Sequence, residues 1–206
     1  MMADTKDRRV ATAKTTNGRA GSRPSSSTLR TVHELFLAGE VDADDLSSSV
    51  RPVVAQSWER SRAVGVDPDL NGARPAEALA AAARLRDTHP LAPALPVIRR
   101  LLVNDAIDSG VVVAVSAADG TLLWVEGDPN ACRRAEAMNF VPGADWSERG
   151  AGTNAPGTAL ALDREVQIHG AEHYARVVQP WSCTAVPVHS RHDGALIGAI
   201  DITGGD

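Results

Sequence analysis

The chain has 206 residues and 43% hydrophobic content, enough for one well-buried domain with accessory elements and ordinary for a globular protein. A formal net charge of −5 excludes the uniformly basic surface of a nucleic-acid binder. That average conceals an asymmetry: residues 1–30 hold seven Lys/Arg against two Asp/Glu, and the rest is acidic. Residues 1–27, basic and Ser/Thr-rich with almost no large apolar side chain, are expected to be a disordered, solubilising tail. A helix follows over 28–39, with Leu29, Val32, Leu35 and Phe36 at helical spacing and Gly39 as its stop. A second is predicted over 49–64 and ends at Gly65. GVDPDLNGARP reads as a turn-rich linker. Residues 75–86 are Ala-rich and helical by propensity. The prolines of THPLAPALP break that helix, and one more is predicted over 96–109.

From residue 110 the period changes. GVVVAVSAADGTLLWVEGD is two β-branched runs joined at Asp119-Gly120, a hairpin signal. A short helix is expected over 128–139. The segment PGADWSERGAGTNAPGTALAL, 142–162, reads as a tight loop running into a short apolar helix. Gly150, Gly152 and Gly157 allow close backbone approach, and Ser147, Thr153 and Asn154 are cap candidates. A strand at 165–168, a helix at 170–178 and strands at 181–189 and 195–203 around the turn SRHDG complete the pattern. The fold class is α+β, an antiparallel sheet flanked by helices. The end at GGD, directly after a strand, suggests a truncated sequence.

Several motifs invite chemistry. His169-Gly170-Ala171-Glu172-His173 spells HxxEH, the inverted zinc-peptidase pattern. Gly170 weakens the helix it needs, and no glutamate follows to complete a ligand set, so the expected reading is surface or pocket histidines and no metal. Cys132 and Cys183 are too few for a disulfide framework and make no CxxC, which fits a reduced, cytoplasmic setting. Cys132 sits beside Arg133 and Arg134 and is expected to be the more reactive thiol; a structural role is the preferred reading for both. No GxSxG elbow or phosphate-loop ending is present. No segment has the apolar length of a membrane helix or a signal peptide. Trp124, Phe140, Trp146 and Trp181 dominate a sparse aromatic set around the Gly-rich loop. They are read as walls of an apolar ligand pocket or as ordinary core. Asn154 is expected to tie the loop backbone, with Thr158 one helical turn later and a cap worth ~1 kcal/mol.

FVPGADWSERGAGTNAPGTALAL, VQIHGAEHY, WSCTAVPVH and GALIGAIDITGG closely resemble the GAF sensory domain of bacterial Fis-family, enhancer-binding activators of the acetoin-catabolism-regulator type. VRPVVAQSWERSRAVGVDP resembles the helical lead-in that precedes it. The resemblance covers about residues 28–206. It implies a helical lead-in and linker over 28–95 and a GAF-like domain over 96–206 whose closing helix is missing. That domain would have helices on one face of its sheet and a small-molecule pocket on the other. It further implies a non-catalytic sensor of an unidentified effector; the residues expected to face that effector are Trp124, Phe140, Trp146, Asn154, Thr158, His173, Trp181 and Cys183. No cofactor is named by the sequence. DNA contact is expected only through a region absent from this chain. A homodimer through the N-terminal helices is expected, because Val54 and Trp58 need cover. The alternatives are a GAF-type methionine sulfoxide reductase, for which the chain lacks a spaced cysteine set, and a haem or metal redox sensor using His169 or His173.

Overall fold

The computed structural model describes residues 25–42, 44–69 and 76–205. The expected basic tail falls mostly outside the described residues, as does part of the linker. Helix α1, Ser26–Leu37, starts where Ser25 accepts the Thr28 N–H, and Gly39 at φ 73° follows its end. Helix α2, Pro52–Ala63, opens on a proline whose missing N–H costs nothing in a first turn. Val54 and Trp58 on α2 are fully buried within the chain itself. The need for a second copy to cover them therefore disappears. Helix α3, Ala76–Thr88, follows. The helix predicted over 96–109 is observed as α4, residues 95–106, and its middle turn, Arg99–Val103, is π-helical.

Strands β1, Val111–Ala117, and β2, Leu122–Gly127, form the expected hairpin. Helix α5, Pro129–Ala137, is capped by Asp128. Helices α6, Glu148–Ala151, and α7, Ala155–Leu162, come from the Gly-rich segment. Strands β3, Val166–His169, β4, Trp181–His189, and β5, Leu196–Gly205, complete a five-stranded antiparallel sheet of order β2-β1-β5-β4-β3. The helix expected at 170–178 is replaced by two 3-10 turns, Gly170–Glu172 and Arg176–Val178. Gly170 at φ 48° and the extended backbone of His173 stop a continuous helix there.

Helices lie on both faces of the sheet, not on one. Alternation along the strands sends Val112, Ala114, Ile168, Cys183 and Ala185 into a core shared with α1, α2, α5 and α7. Val113, Val115 and Trp124 point the other way, against α4 and the segment before it, and Leu123, at the irregularity where the pairing shifts between Val115 and Ser116, joins them. Helix α7 lies over β3, β4 and β5. Among the described residues no helix is long and apolar enough to cross a membrane.

Candidate functional site

The Gly-rich segment is held by its own short side chains. Asn154 caps α7: its Oδ1 accepts the Gly157 N–H at 2.8 Å and its Nδ2 donates to the Gly152 carbonyl at 2.7 Å. Ser147 caps α6 by accepting the Gly150 N–H at 3.1 Å. Gly157 lets α7 touch the loop, because a Cβ there would lie 2.6 Å from the Glu148 nitrogen and the Trp146 carbonyl oxygen. Trp146 donates from Nε1 to the Asn139 carbonyl at 3.1 Å and meets Phe140 edge-on at 4.6 Å between centroids. Such an aromatic pair contributes beyond its buried area.

Two carboxylates then join this loop region to helix α2. Glu148, almost fully buried, takes a bidentate pair from Arg60 at 2.7 and 2.8 Å, and hydrogen bonds from Thr158 at 2.9 Å and from Ser57. Ser57 also lies 2.7 Å from the Thr153 hydroxyl. Glu172, the acid of the HxxEH pattern, is held by Arg51 and accepts the His169 N–H at 2.8 Å, while Trp58 Nε1 donates to the Glu172 carbonyl at 2.7 Å. Charge-assisted, two-pronged pairs of this kind fix orientation as well as distance. The sequence reading missed Arg51, Ser57, Arg60 and Glu148. The dense Ser/Arg content of SWERSR hinted at Ser57 and Arg60, and no local signal pointed to Arg51 or Glu148.

The remaining expected residues are divided by the sheet. Phe140, Trp146, Trp181 and Cys183 share one core, with Asn154, Thr158 and His173 buried as well. His173 Nδ1 lies 2.9 Å from the Gly170 carbonyl, and the Arg134 guanidinium stands 4.8 Å over the Trp181 ring. Trp124 does not join them. It belongs to the opposite face, edge-on to His89 at 6.5 Å.

On the α7 face the structure adds an acid that the sequence reading did not single out. Asp201 is 1% exposed and pairs in register with Ala114 and Ala185. Burial pushes its carboxyl up to about 7, against a partial opposing effect of the Thr203 hydroxyl, which donates to Oδ2 at 2.5 Å. Thr203 Oγ1 is also 3.2 Å from Cys183 Sγ. Burial, with Asp201 nearby, raises the Cys183 thiol well above its ordinary range. Cys132 remains the more accessible of the two thiols, but the reason given for its reactivity fails: burial raises its pKa, and Asp128, Glu136 and Glu126 add to the rise. An open cleft of about 440 Å³ lies beside α2 and α7, lined by Arg60, Val64, Asp119, Glu148, Gly157 and Leu160 among others, so the Arg60–Glu148 pair forms part of its wall.

Comparison with known proteins places this geometry in context. The family model described as the MimR N-terminal domain matches residues 25–205. A Rhodococcus erythropolis protein described as an uncharacterized 47.3 kDa protein in the thcA 5' region is 51% identical over 182 residues, 86% of this chain and 41% of that protein. The acetoin dehydrogenase operon transcriptional activator AcoR of Bacillus subtilis is 36% identical over 157 residues, 75% of this chain and 26% of its own length. The propane 2-monooxygenase operon transcriptional activator MimR of Mycolicibacterium smegmatis is 33% identical over 175 residues, 82% of this chain and 28% of its own length. The chain thus spans about two fifths or less of these relatives. The crystal structure of the E. coli DhaR(N)–DhaL complex matches with a TM-score of 0.60 at 20% identity, covering 75% of this chain and 52% of that one, a likeness of fold.

Proposed function

The chain belongs to the MimR N-terminal domain family, and from that premise we propose that it is the signal-sensing part of a cytoplasmic transcriptional activator. In this reading it binds a small-molecule effector between the sheet and the α7 loop, without catalysis. Promoter contact belongs to portions of such a regulator with which these residues do not align. The observation that carries the reading is the wiring of Glu148. One buried carboxylate ties Thr158 on α7 to Ser57 and Arg60 on α2. A displacement of α7 by a bound molecule must therefore strain or reset α2, which is how a binding event leaves the site. The absence of a catalytic role is supported by the two thiols, which lie on α5 and β4 and are both shifted toward the protonated form.

The test is a thermal-shift screen of small metabolites on the purified chain, with tryptophan emission as the second readout. Binding is expected to raise Tm by mass action and to change the emission of Trp146, and Trp146→Ala to weaken it. No stabilising compound in a broad screen would remove the support for sensing. A second reading puts the effector in the 440 Å³ cleft, favoured by its being open. Leu160→Trp narrows that cleft, so binding that it leaves unchanged favours the sheet side.

A further inference from the structure

We propose that the cleft beside α2 and α7 is a binding site for a small monocarboxylate with an apolar tail. This rests on the cleft reading of the sensing function above and names the ligand it would hold. Helical spacing orders the wall. Glu148 holds Arg60 on α2, and it also touches α7, where a Cβ on Gly157 would lie 2.6 Å from its nitrogen. Ala63 and Val64 come three and four residues after Arg60, and Leu160 and Ala161 three and four after Gly157, so they share the faces of those residues. Each wall thus meets Glu148 and, one turn on, turns apolar. Val64 is 51% exposed there, apolar surface that a ligand tail would take out of water.

The charged part of the wall has donors that the fold leaves open. Arg60 gives Glu148 two of its five N–H donors, from Nε and Nη2. Its side chain is 40% exposed, and the outer edge of the guanidinium keeps the other three. Arg149 on α6 lines the same cleft, is exposed, and has no ion pair among the described residues. Ser147 accepts the Gly150 N–H and so keeps its own hydroxyl proton to donate. Two guanidinium groups and a hydroxyl suit one planar carboxylate, which accepts from several donors at once. Asp119, on the β1–β2 turn, accepts the Thr121 N–H at 2.9 Å and has no ion pair among the described residues, so it opposes a second negative charge in the cleft. The Trp146 N–H holds the Gly120 carbonyl at 3.0 Å, which ties that turn to the segment entering α6 and sets the cleft before a ligand arrives. Because the Arg60–Glu148 pair is itself wall, occupation bears on the contact that joins α2 to α7.

The experiment uses the full chain, isotope-labelled, titrated at neutral pH with hexanoate, 1-hexanol and adipate while amide signals are followed by NMR. Hexanoate is expected to shift signals of residues 60–64, 147–149 and 157–161 saturably. Hexanol, with the same tail and no charge, and adipate, with a second carboxylate, are each expected to bind about tenfold more weakly or worse. Arg149→Gln, at an exposed position, is expected to weaken hexanoate by about tenfold and leave hexanol unchanged, which a merely structural role would not do. Leu160→Trp is expected to weaken both. Hexanol or adipate binding as tightly as hexanoate, hexanoate binding untouched by Arg149→Gln, or shifts confined to residues 112–116 and 199–203 overturns the proposal. No saturable shift from hexanoate also overturns it; a neutral compound that stabilises the chain in the metabolite screen then leaves sensing intact, whereas silence in both removes that reading as well.

Discussion

Replacing Asn154 by alanine tests how the Gly-rich loop is held. Asn154 is 1% exposed and makes two hydrogen bonds in opposite senses, accepting from Gly157 N–H and donating to the Gly152 carbonyl. Loss of the cap alone costs about 1 kcal/mol. The abandoned Gly152 carbonyl is shielded from water and adds roughly 1–3 kcal/mol. The expected total is about 2–4 kcal/mol, above the ~1 kcal/mol that the sequence suggests for a cap. For a chain of this size it corresponds to a fall in Tm of roughly 5–15 °C. Asn154→Asp separates the two bonds. Aspartate caps as well as asparagine does, yet here it would turn a carboxylate oxygen toward a carbonyl oxygen. The assay is urea unfolding at 25 °C, with m compared between variants to confirm that midpoints report stability. A cost below about 1 kcal/mol for Asn154→Ala, or an aspartate variant as stable as the parent, would refute the two-bond account.

Other substitutions follow from the same geometry. Gly157→Ala gains up to about 1 kcal/mol of helix propensity but drives a Cβ into backbone atoms 2.6 Å away, so net destabilisation of roughly 1–3 kcal/mol is expected on thermal unfolding; a more stable variant would contradict that contact. Asp201, raised from 3.8 to about 7, binds its proton more tightly folded than unfolded, so its contribution is full below pH 3.8 and is lost as pH rises through 7. Asp201→Asn should therefore gain on the parent across that window, by up to about 4 kcal/mol, and a pH-independent difference would refute the burial argument. His33 acts in the opposite sense: burial lowers it to about 4, so its contribution is present above pH 6.5 and is lost as pH falls toward 4, a slope that His33→Gln should flatten in the same unfolding series. Cys132 should alkylate more slowly than a free thiol at pH 7.5, and a rate above that of glutathione would show that its arginine neighbours prevail after all.

The sheet was the legible part of this chain because its signals are local. Runs such as VVVAVSA and WSCTAVPVH bounded by Asp-Gly turns need only β-branched side chains and a tight turn. The strand expected at 181–189 is observed at those residues, and the hairpin at 111–127 closes as the turn predicts. The segment 170–178 was misjudged because a helical composition was weighed above one residue. Gly170 takes a positive φ, and Glu172 turns back to the His169 N–H where a helix would have continued. The π-turn in α4 left no trace in composition that separates it from an α-turn.

The site was legible only where a residue acts on its neighbours. Asn154 bonds residues two and three positions away, so its Gly/Thr/Pro context announced it. Arg60–Glu148 and Arg51–Glu172 span 88 and 121 positions, and no periodicity connects such partners before the chain folds. Trp124 was misplaced for a different reason. LLWV is apolar at every position because both faces of β2 are covered, so alternation cannot say which face a residue takes. Grouping it with Trp146 relied on aromatic type alone. Asp201 offered the better clue. In LIGAIDITGG it is the lone charge inside an apolar strand, and neighbours that bury an aliphatic residue bury it too. An aromatic in a core needs no purpose beyond packing, whereas a buried carboxylate with one oxygen unpartnered has a cost that packing does not offset. In an apolar strand, the residue that ought not to be there says more about the chemistry of the core than the residues that belong.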